Sequence, residues 1–445
     1  MTEGEFPTTL VVGTVPSATL ASADRRTLMT DSLPTASAAT PEPRFTPLRG
    51  IHESLGATFT DFGGWQMPVR YASDLAEHRA VREAAGIFDI SHMAEFLVTG
   101  TGAGQLLDYA LGGKLSTLAV GRAKYSLLLA DDGGIIDDVI VYCLGPEWYL
   151  VIANAGNREA VAAAFAERVS RAPIAAAFST APIEGVHTFG GVVGGDLARV
   201  EDVSDSFSLI AVQGPRAGEI VAGAAGVDAG ALTDLGYYAA AQTTFDDSPM
   251  LLARTGYTGE DGYELLVPNA RAVELWAALT EAGAALGLVP AGLAARDTLR
   301  LEAGMPLYGH ELSRGVLPAQ AGLGRTVSFD KPDFVGRQAL EAAADRISGW
   351  RRSAGSTPET AARPVLVGLV AEGRRAGRAG YAVFDGETPV GEVTSGALSP
   401  TLGHPIAMAF VPPSLAGEGT VLSIDVRGTK VPATVTALPF YRRKK

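Results

Sequence analysis

Apolar and polar residues are patterned most tightly in Gly133-Gly134-Ile135-Ile136-Asp137-Asp138-Val139-Ile140-Val141-Tyr142. A strand sends successive side chains to opposite faces. Asp137, Val139 and Val141 therefore share one face, and Asp138, Ile140 and Tyr142 share the other. A second apolar run, 124–129, precedes it, and Asp131-Asp132-Gly133-Gly134 supplies the turn, so the pattern predicts a β-hairpin. Whichever face meets a core, one carboxylate is carried inward, which is costly without partners or a task. The stretch alone leaves open that both acids stay solvated at the open end of the hairpin.

Elsewhere the same reading predicts strand-like segments at 58–71, 95–98, 148–152, 208–213, 250–255 and 263–267. Helices are predicted from Asp74 and over 101–112, 158–169, 215–222, 270–286 and 291–303. Asp74 with Glu77 resembles a capping box, Leu75, Val81 and Ala85 give a stripe, and Gly86 is a stop. Asn157 is the expected N-cap of 158–169, with Val161, Phe165 and Val169 inward. Helix 270–286 carries Val273, Trp276, Leu279 and Leu286. Arg296 and Arg300, four apart, share a helix face. The segment 171–204 is expected as an inserted loop or hairpin, and 345–363 as a loop or linker. Short apolar runs at 365–370, 381–384, 390–394, 407–411, 421–426 and 431–438, punctuated by Gly and Pro, predict an all-β module.

The totals narrow this picture. The 445 residues suggest about three domains. With 47% hydrophobic and 19% charged residues, large cores are expected and global disorder is excluded. The first 43 residues, rich in Ser, Thr, Ala and Pro, are the exception and are expected to be a disordered extension; Met29 is an alternative start to Met1. A net charge of −13 argues against a general nucleic-acid or anionic-membrane binder. Cys143 is the only cysteine, so intrachain disulfides and cysteine-based metal sites are ruled out, and the six histidines lack ligand spacing; no metal is expected. No apolar run reaches membrane-spanning length and no basic leader opens the chain, which predicts a cytoplasmic protein. Neither a P-loop nor a dinucleotide-binding glycine fingerprint is present.

Several stretches, in order, resemble one family. They are 61–68 (DFGGWQMP), 88–93 (FDISHM), 133–138 (GGIIDD), 212–215 (VQGP), 254–264 (RTGYTGEDGYE), 292–302 (GLAARDTLRLE) and 394–403 (TSGALSPTLG). Together they are similar to the T-proteins of the glycine cleavage system, the tetrahydrofolate-dependent aminomethyltransferases, over about 46–442. The resemblance implies an α+β fold of three domains in a cloverleaf around a folate-holding hole. Two interleaved α+β domains would occupy 44–345 (roughly 44–95 plus 205–298, and 96–204), 346–363 would link them onward, and a barrel- or jelly-roll-like all-β domain would occupy 364–445. It implies tetrahydrofolate as co-substrate and the lipoylated H-protein as partner. The aminomethyl group on the dihydrolipoyl arm would lose ammonia and become 5,10-methylenetetrahydrofolate.

The resemblance makes Asp138 the key acid and leaves Asp137 structural. Glu264 would bind the pterin, and Arg296 a folate carboxylate or carbonyl. Tyr125, Asn154 and Tyr257 would line the pocket, Met93 would pack on the folate, and Tyr441 would reach it from the C-terminus. The plainer readings are a surface cross-strand Glu264 and an Arg296 paired within its helix. His92 is read as a satisfied structural histidine. A Lys/Arg patch at the lipoyl entrance is expected from Arg70, Arg325 or Arg337. Two alternatives share the fold: a folate-dependent demethylase, and a non-catalytic folate-binding iron–sulfur assembly factor, whose cysteine motif the segment 304–311 lacks.

Overall fold

In the computed structural model the described residues are 42–171, 192–194, 197–343 and 363–443. They form two six-stranded sheets, a closed six-stranded barrel and a small hairpin, Thr58–Phe62 with Trp65–Arg70. The first sheet has the order Ala240–Phe245, Ser248–Ala253, Gly262–Pro268, Phe207–Gln213, Ala85–Asp89, Leu288–Pro290. The second has the order Ala123–Leu129, Ile135–Gly145, Trp148–Ala153, Ala94–Thr99, Arg199–Asp202, Val192–Gly194. The chain leaves the first sheet at Asp89, builds the second, and returns at Phe207.

Each sheet is covered on its outer face by helices. Ala103–Ala110 and Arg158–Arg171 pack on the second sheet with Phe96, Val139, Val141 and Val151. Ala217–Gly223 and Ala272–Gly283 pack on the first with Ile87, Val212, Leu252 and Leu265. The inner faces meet: Tyr142, Leu150 and Ile152 lie against Leu209, Leu251, Ala253 and Leu266. The strands at this interface are therefore buried on both faces, and the layers stack as helix, sheet, sheet, helix. The barrel closes because Val365–Ala371 pairs with both Pro405–Val411 and Lys430–Thr436. Its interior is filled by alternate residues such as Val367, Leu369, Val383, Ala409 and Val435.

The predicted hairpin forms, with Ala123–Leu129 antiparallel to Ile135–Gly145 and Gly133 at φ +83° in the turn. Other expectations change. Ser73, not Asp74, caps helix Asp74–Glu83, its side chain accepting from the Ala76 amide. Glu77 turns away from a capping box and accepts from the Tyr71, Ala72 and Gly292 amides. Leu75 is exposed, and Ala85 and Gly86 belong to a wholly buried strand. Asn157 does not cap Arg158–Arg171, because a 3-10 turn, Ala155–Asn157, precedes that helix and the Asn157 amide is engaged by Asp137. Val273 faces solvent while Leu275 takes the core position. Within the expected insert, 172–191 and 195–196 lie outside the described residues, but Arg199–Asp202 pairs with Ala94–Thr99 and is part of the second sheet. Residues 1–41 of the N-terminal segment, residue 344 and 345–362 of the linker likewise lie outside them.

Candidate active site

The two acids part company as strand alternation requires. Asp137 points under the helix layer with Val139 and Val141 and has no solvent exposure. Asp138 points to the inner side with Ile140 and Tyr142 and remains half-buried. Its Oδ2 accepts from the Tyr125 hydroxyl at 3.0 Å and its Oδ1 from Asn154 Nδ2 at 2.8 Å. Burial pushes its ionisation upward, and these two donors pull it back. The charge of Asp138 in turn helps raise Tyr125, Tyr238, Tyr257 and Tyr308, so four phenols stand around it.

Asn154 follows the last residue of Trp148–Ala153. Ile140 pairs with Ile152, so continuing that register sets Asn154 beside Asp138, where pairing has ended. Its amide nitrogen serves both carboxylates, at 2.8 Å from Asp137 Oδ1 and 2.8 Å from Asp138 Oδ1. The flipped amide would aim an oxygen at two acids, so this orientation is forced. Asp137 also accepts from the Asn154 backbone N–H at 2.9 Å and from Asn157 Nδ2 at 2.6 Å. Burial first, then the neighbouring Asp138, raise Asp137; the asparagine donors oppose both.

Four residues further along the acid strand, about 13 Å at 3.3 Å per residue, lies Tyr142. Its hydroxyl donates to Glu264 Oε2 at 3.3 Å, which also accepts from Thr255 Oγ1 at 2.5 Å. Glu264 is only 8% exposed, which dismisses the surface reading. Two donors hold Oε2, and among the described residues no hydrogen bond engages Oε1. Arg296, on helix Leu293–Glu302, lies over the Tyr257 ring at 4.9 Å and within the electrostatic reach of Glu264. Burial lowers it, with Glu264 and Tyr257 opposing. No ion pair engages it among the described residues. Within the helix Arg300 pairs with Asp297, and outside it Arg300 pairs with Glu311 and Glu302 with Arg82. The Tyr257 hydroxyl donates to the Pro306 carbonyl.

Asp138, Tyr125, Asn154, Tyr257, Glu264 and Arg296 are thus linked by contacts or mutual fields, and Met93 lies half-buried against the inner interface between the sheets. Tyr441 is placed elsewhere: Arg82 lies over its ring at 4.1 Å, and its amide donates to the Glu302 carbonyl. No hydrogen bond or ring contact ties it to the other candidates among the described residues. His92 is not a satisfied histidine. It is buried with Nδ1 unpartnered, and burial pushes it down to about 4, Asp89 opposing and Arg296 assisting. Tyr238, which stands in the fields of both Asp138 and Glu264, went unnoticed in the sequence. Its φ of +55°, in the left-handed region that non-glycine residues seldom adopt, is invisible there.

Family models and relatives match along most of the chain. The GCVT N-terminal domain family matches residues 48–331, and the glycine cleavage T-protein C-terminal barrel domain matches 365–442. The chain is 53% identical over 406 residues to an aminomethyltransferase of Cutibacterium acnes, covering 90% of this chain and 99% of that one. It is 52% identical over 405 residues to an aminomethyltransferase of Streptomyces avermitilis, covering 91% and 99%. Among solved structures it resembles glycine cleavage system aminomethyltransferase T of Bartonella henselae, at 33% identity and TM-score 0.75, covering 90% of this chain and 99% of that one. These relatives support neither the demethylase nor the iron–sulfur alternative. With both domain families matched in order, and relatives at half identity along nearly their whole length, the chain belongs to the glycine cleavage T-proteins, the aminomethyltransferases.

Proposed function

We propose that the inner pocket takes an aminomethyl group from the dihydrolipoyl arm of H-protein, releases ammonia and passes the carbon to tetrahydrofolate, giving 5,10-methylenetetrahydrofolate. The observation that carries this reading is Asp138: a carboxylate held by Tyr125 and Asn154 on the inner face of the sheet, on a residue that is only half-buried. The transferred carbon sits between sulfur and nitrogen. When its bond to nitrogen breaks, ammonia leaves and the carbon becomes electrophilic. A fixed carboxylate stabilises that positive charge and accepts the proton of the attacking folate nitrogen. The bond to sulfur then breaks, the second folate nitrogen closes on the carbon, and the two protons given up by the folate nitrogens end on ammonia and on the restored dihydrolipoyl thiol.

The remaining side chains orient the acceptor. Glu264, whose Oε1 no hydrogen bond engages among the described residues, suits the 2-amino and N3–H edge of a pterin. Arg296, stacked on Tyr257 and without a carboxylate partner of its own among the described residues, suits a carbonyl or carboxylate of the folate. Met93 supplies an apolar wall. For H-protein, Arg70 and Arg325 are exposed and suit an acidic partner. Arg337 does not, because Glu341 and the Lys331 carbonyl engage it.

The test is ammonia release from purified, aminomethyl-loaded H-protein with tetrahydrofolate. Asp138→Asn is expected to lose on the order of 10²–10⁴ in kcat while still binding folate. Wild-type release in that variant would remove Asp138 from the chemistry.

A further inference from the structure

The geometry points to Asp137 as a positioning residue for the reaction, acting on Asp138 through the shared Asn154 amide; this rests on Asp138 being the working acid. Asp137 touches no space a substrate enters, since its side chain has no exposure. A buried carboxylate of merely structural use would be satisfied by groups with no other employment. Instead it takes three donors: the Asn154 backbone N–H, the Asn154 amide and the Asn157 amide. Two of these belong to the residue that also donates to Asp138. An asparagine at the end of a strand, unpaired in the sheet, would otherwise turn about its side-chain torsions. Clamped by Asp137 at the backbone and at the amide, it keeps its second N–H aimed at Asp138 Oδ1.

The clamp also couples two like charges. The groups facing Asp138 are Tyr125, Tyr238, Tyr257 and Tyr308, and Tyr308 also faces Asp137. Below the range where phenols ionise these are neutral, so among the described residues Asp137 is the negative neighbour that titrates with Asp138. The pair therefore loses its protons in two linked steps. Charge on Asp137 makes ionisation of Asp138 harder, and removal of that charge makes it easier.

The experiment is the pH profile of kcat in the H-protein-coupled assay for wild type, Asp137→Asn, Asn157→Ala and Asp138→Asn, with folate binding as the check of folding. In Asp137→Asn the acid limb should move to lower pH by about one unit, and kcat should fall about tenfold or more while KM for tetrahydrofolate stays within about twofold. Asn157→Ala keeps both acids and the Asn154 bridge. Among the described residues the Asn157 side chain donates to Asp137 alone, so any shift of the limb reaches Asp138 through Asp137; the shift should be smaller and in the same direction. This variant decides the matter if Asp137→Asn does not fold. An acid limb unchanged from wild type in the folded variants overturns the proposal, whatever happens to stability. Full activity in Asp138→Asn would instead overturn the reading beneath it, a distinct result.

Discussion

Tyr125 and Asp138 show how a single donor sets the working range of an acid. The hydroxyl at 3.0 Å stabilises the charged carboxylate and opposes the burial that raises it. In Tyr125→Phe that opposition is gone. The Asp138 value then rises further, and activity that needs the carboxylate is lost at a higher pH as the solution is acidified. A neutral hydrogen bond contributes about 1 kcal/mol and one to a charge somewhat more, so the acid limb of kcat should move up by about one unit. The direction is opposite to that expected for Asp137→Asn. A profile for Tyr125→Phe that overlies wild type would mean the hydroxyl does not act on Asp138 in the turnover complex.

At the scale of elements, the site depends on how closely two backbones approach. Helix Leu293–Glu302, which carries Arg296, begins after Gly292, whose own N–H donates to Glu77. A Cβ at Gly292 would lie 2.5 Å from the Val69 carbonyl carbon and oxygen, both backbone atoms that cannot swing aside. Gly292→Ala should therefore shift the helix start and cost about 1–3 kcal/mol. The expected readout is a lowered thermal midpoint together with weaker tetrahydrofolate binding, although position 292 is not among the proposed ligand contacts. Binding unchanged in a destabilised variant would uncouple Arg296 from the helix start. The sequence announced some of these elements and hid others for physical reasons. The acid hairpin was legible because alternation and a glycine turn are local signals, and the barrel because Gly and Pro punctuate its strands. Strand Ala85–Asp89 was not legible, since all five residues are buried and no period of two survives. Nor was the employment of Asp137, whose partners arrive 17 and 20 residues later from a turn beyond another strand. Alternation separated the two acids onto opposite faces; it could not say that one asparagine at a strand end would reach around to both. Glu77 misled for a related reason, because its spacing from Asp74 is that of a local cap while its partners come from Tyr71, Ala72 and Gly292.

Across the whole molecule, one carboxylate joins the sheet layers to the barrel. Glu302 ends the helix that carries Arg296, and it is fully buried. Its Oε1 accepts from the Ser399 hydroxyl at 2.5 Å and the Thr401 amide at 3.0 Å, both in the loop before barrel strand Pro405–Val411. Its Oε2 accepts from Thr401 Oγ1 at 2.7 Å and Arg82 Nη2 at 2.8 Å, with His78 Nε2 at 3.2 Å. Arg82 continues to Glu260 at 2.9 Å and lies over Tyr441, so the C-terminal tail is held by the same cluster. Burial alone would raise Glu302. Its hydrogen bond to His78, the charge of His78, Ser399 and Arg82 outweigh burial and bring it down from the ordinary 4.5 to about 2. A depressed carboxylate contributes stability that is fully present above its unfolded value and is lost as pH falls through its folded value. The window is therefore from about 4.5 down to about 2, and the contribution is on the order of 3 kcal/mol. Glu302→Gln has no such titration. It should be less stable than wild type at pH 7, and the gap between the two proteins should close steadily on acidification below pH 4.5, down to the lowest pH at which both still fold. The other carboxylates are common to both proteins and cancel in that difference. The measurement is the thermal midpoint of each against pH, with limited proteolysis to see whether the barrel is released first in the variant. A gap that stays constant through the acid window would mean the Glu302 charge does not stabilise the junction, and its role there would reduce to hydrogen bonds an amide can replace.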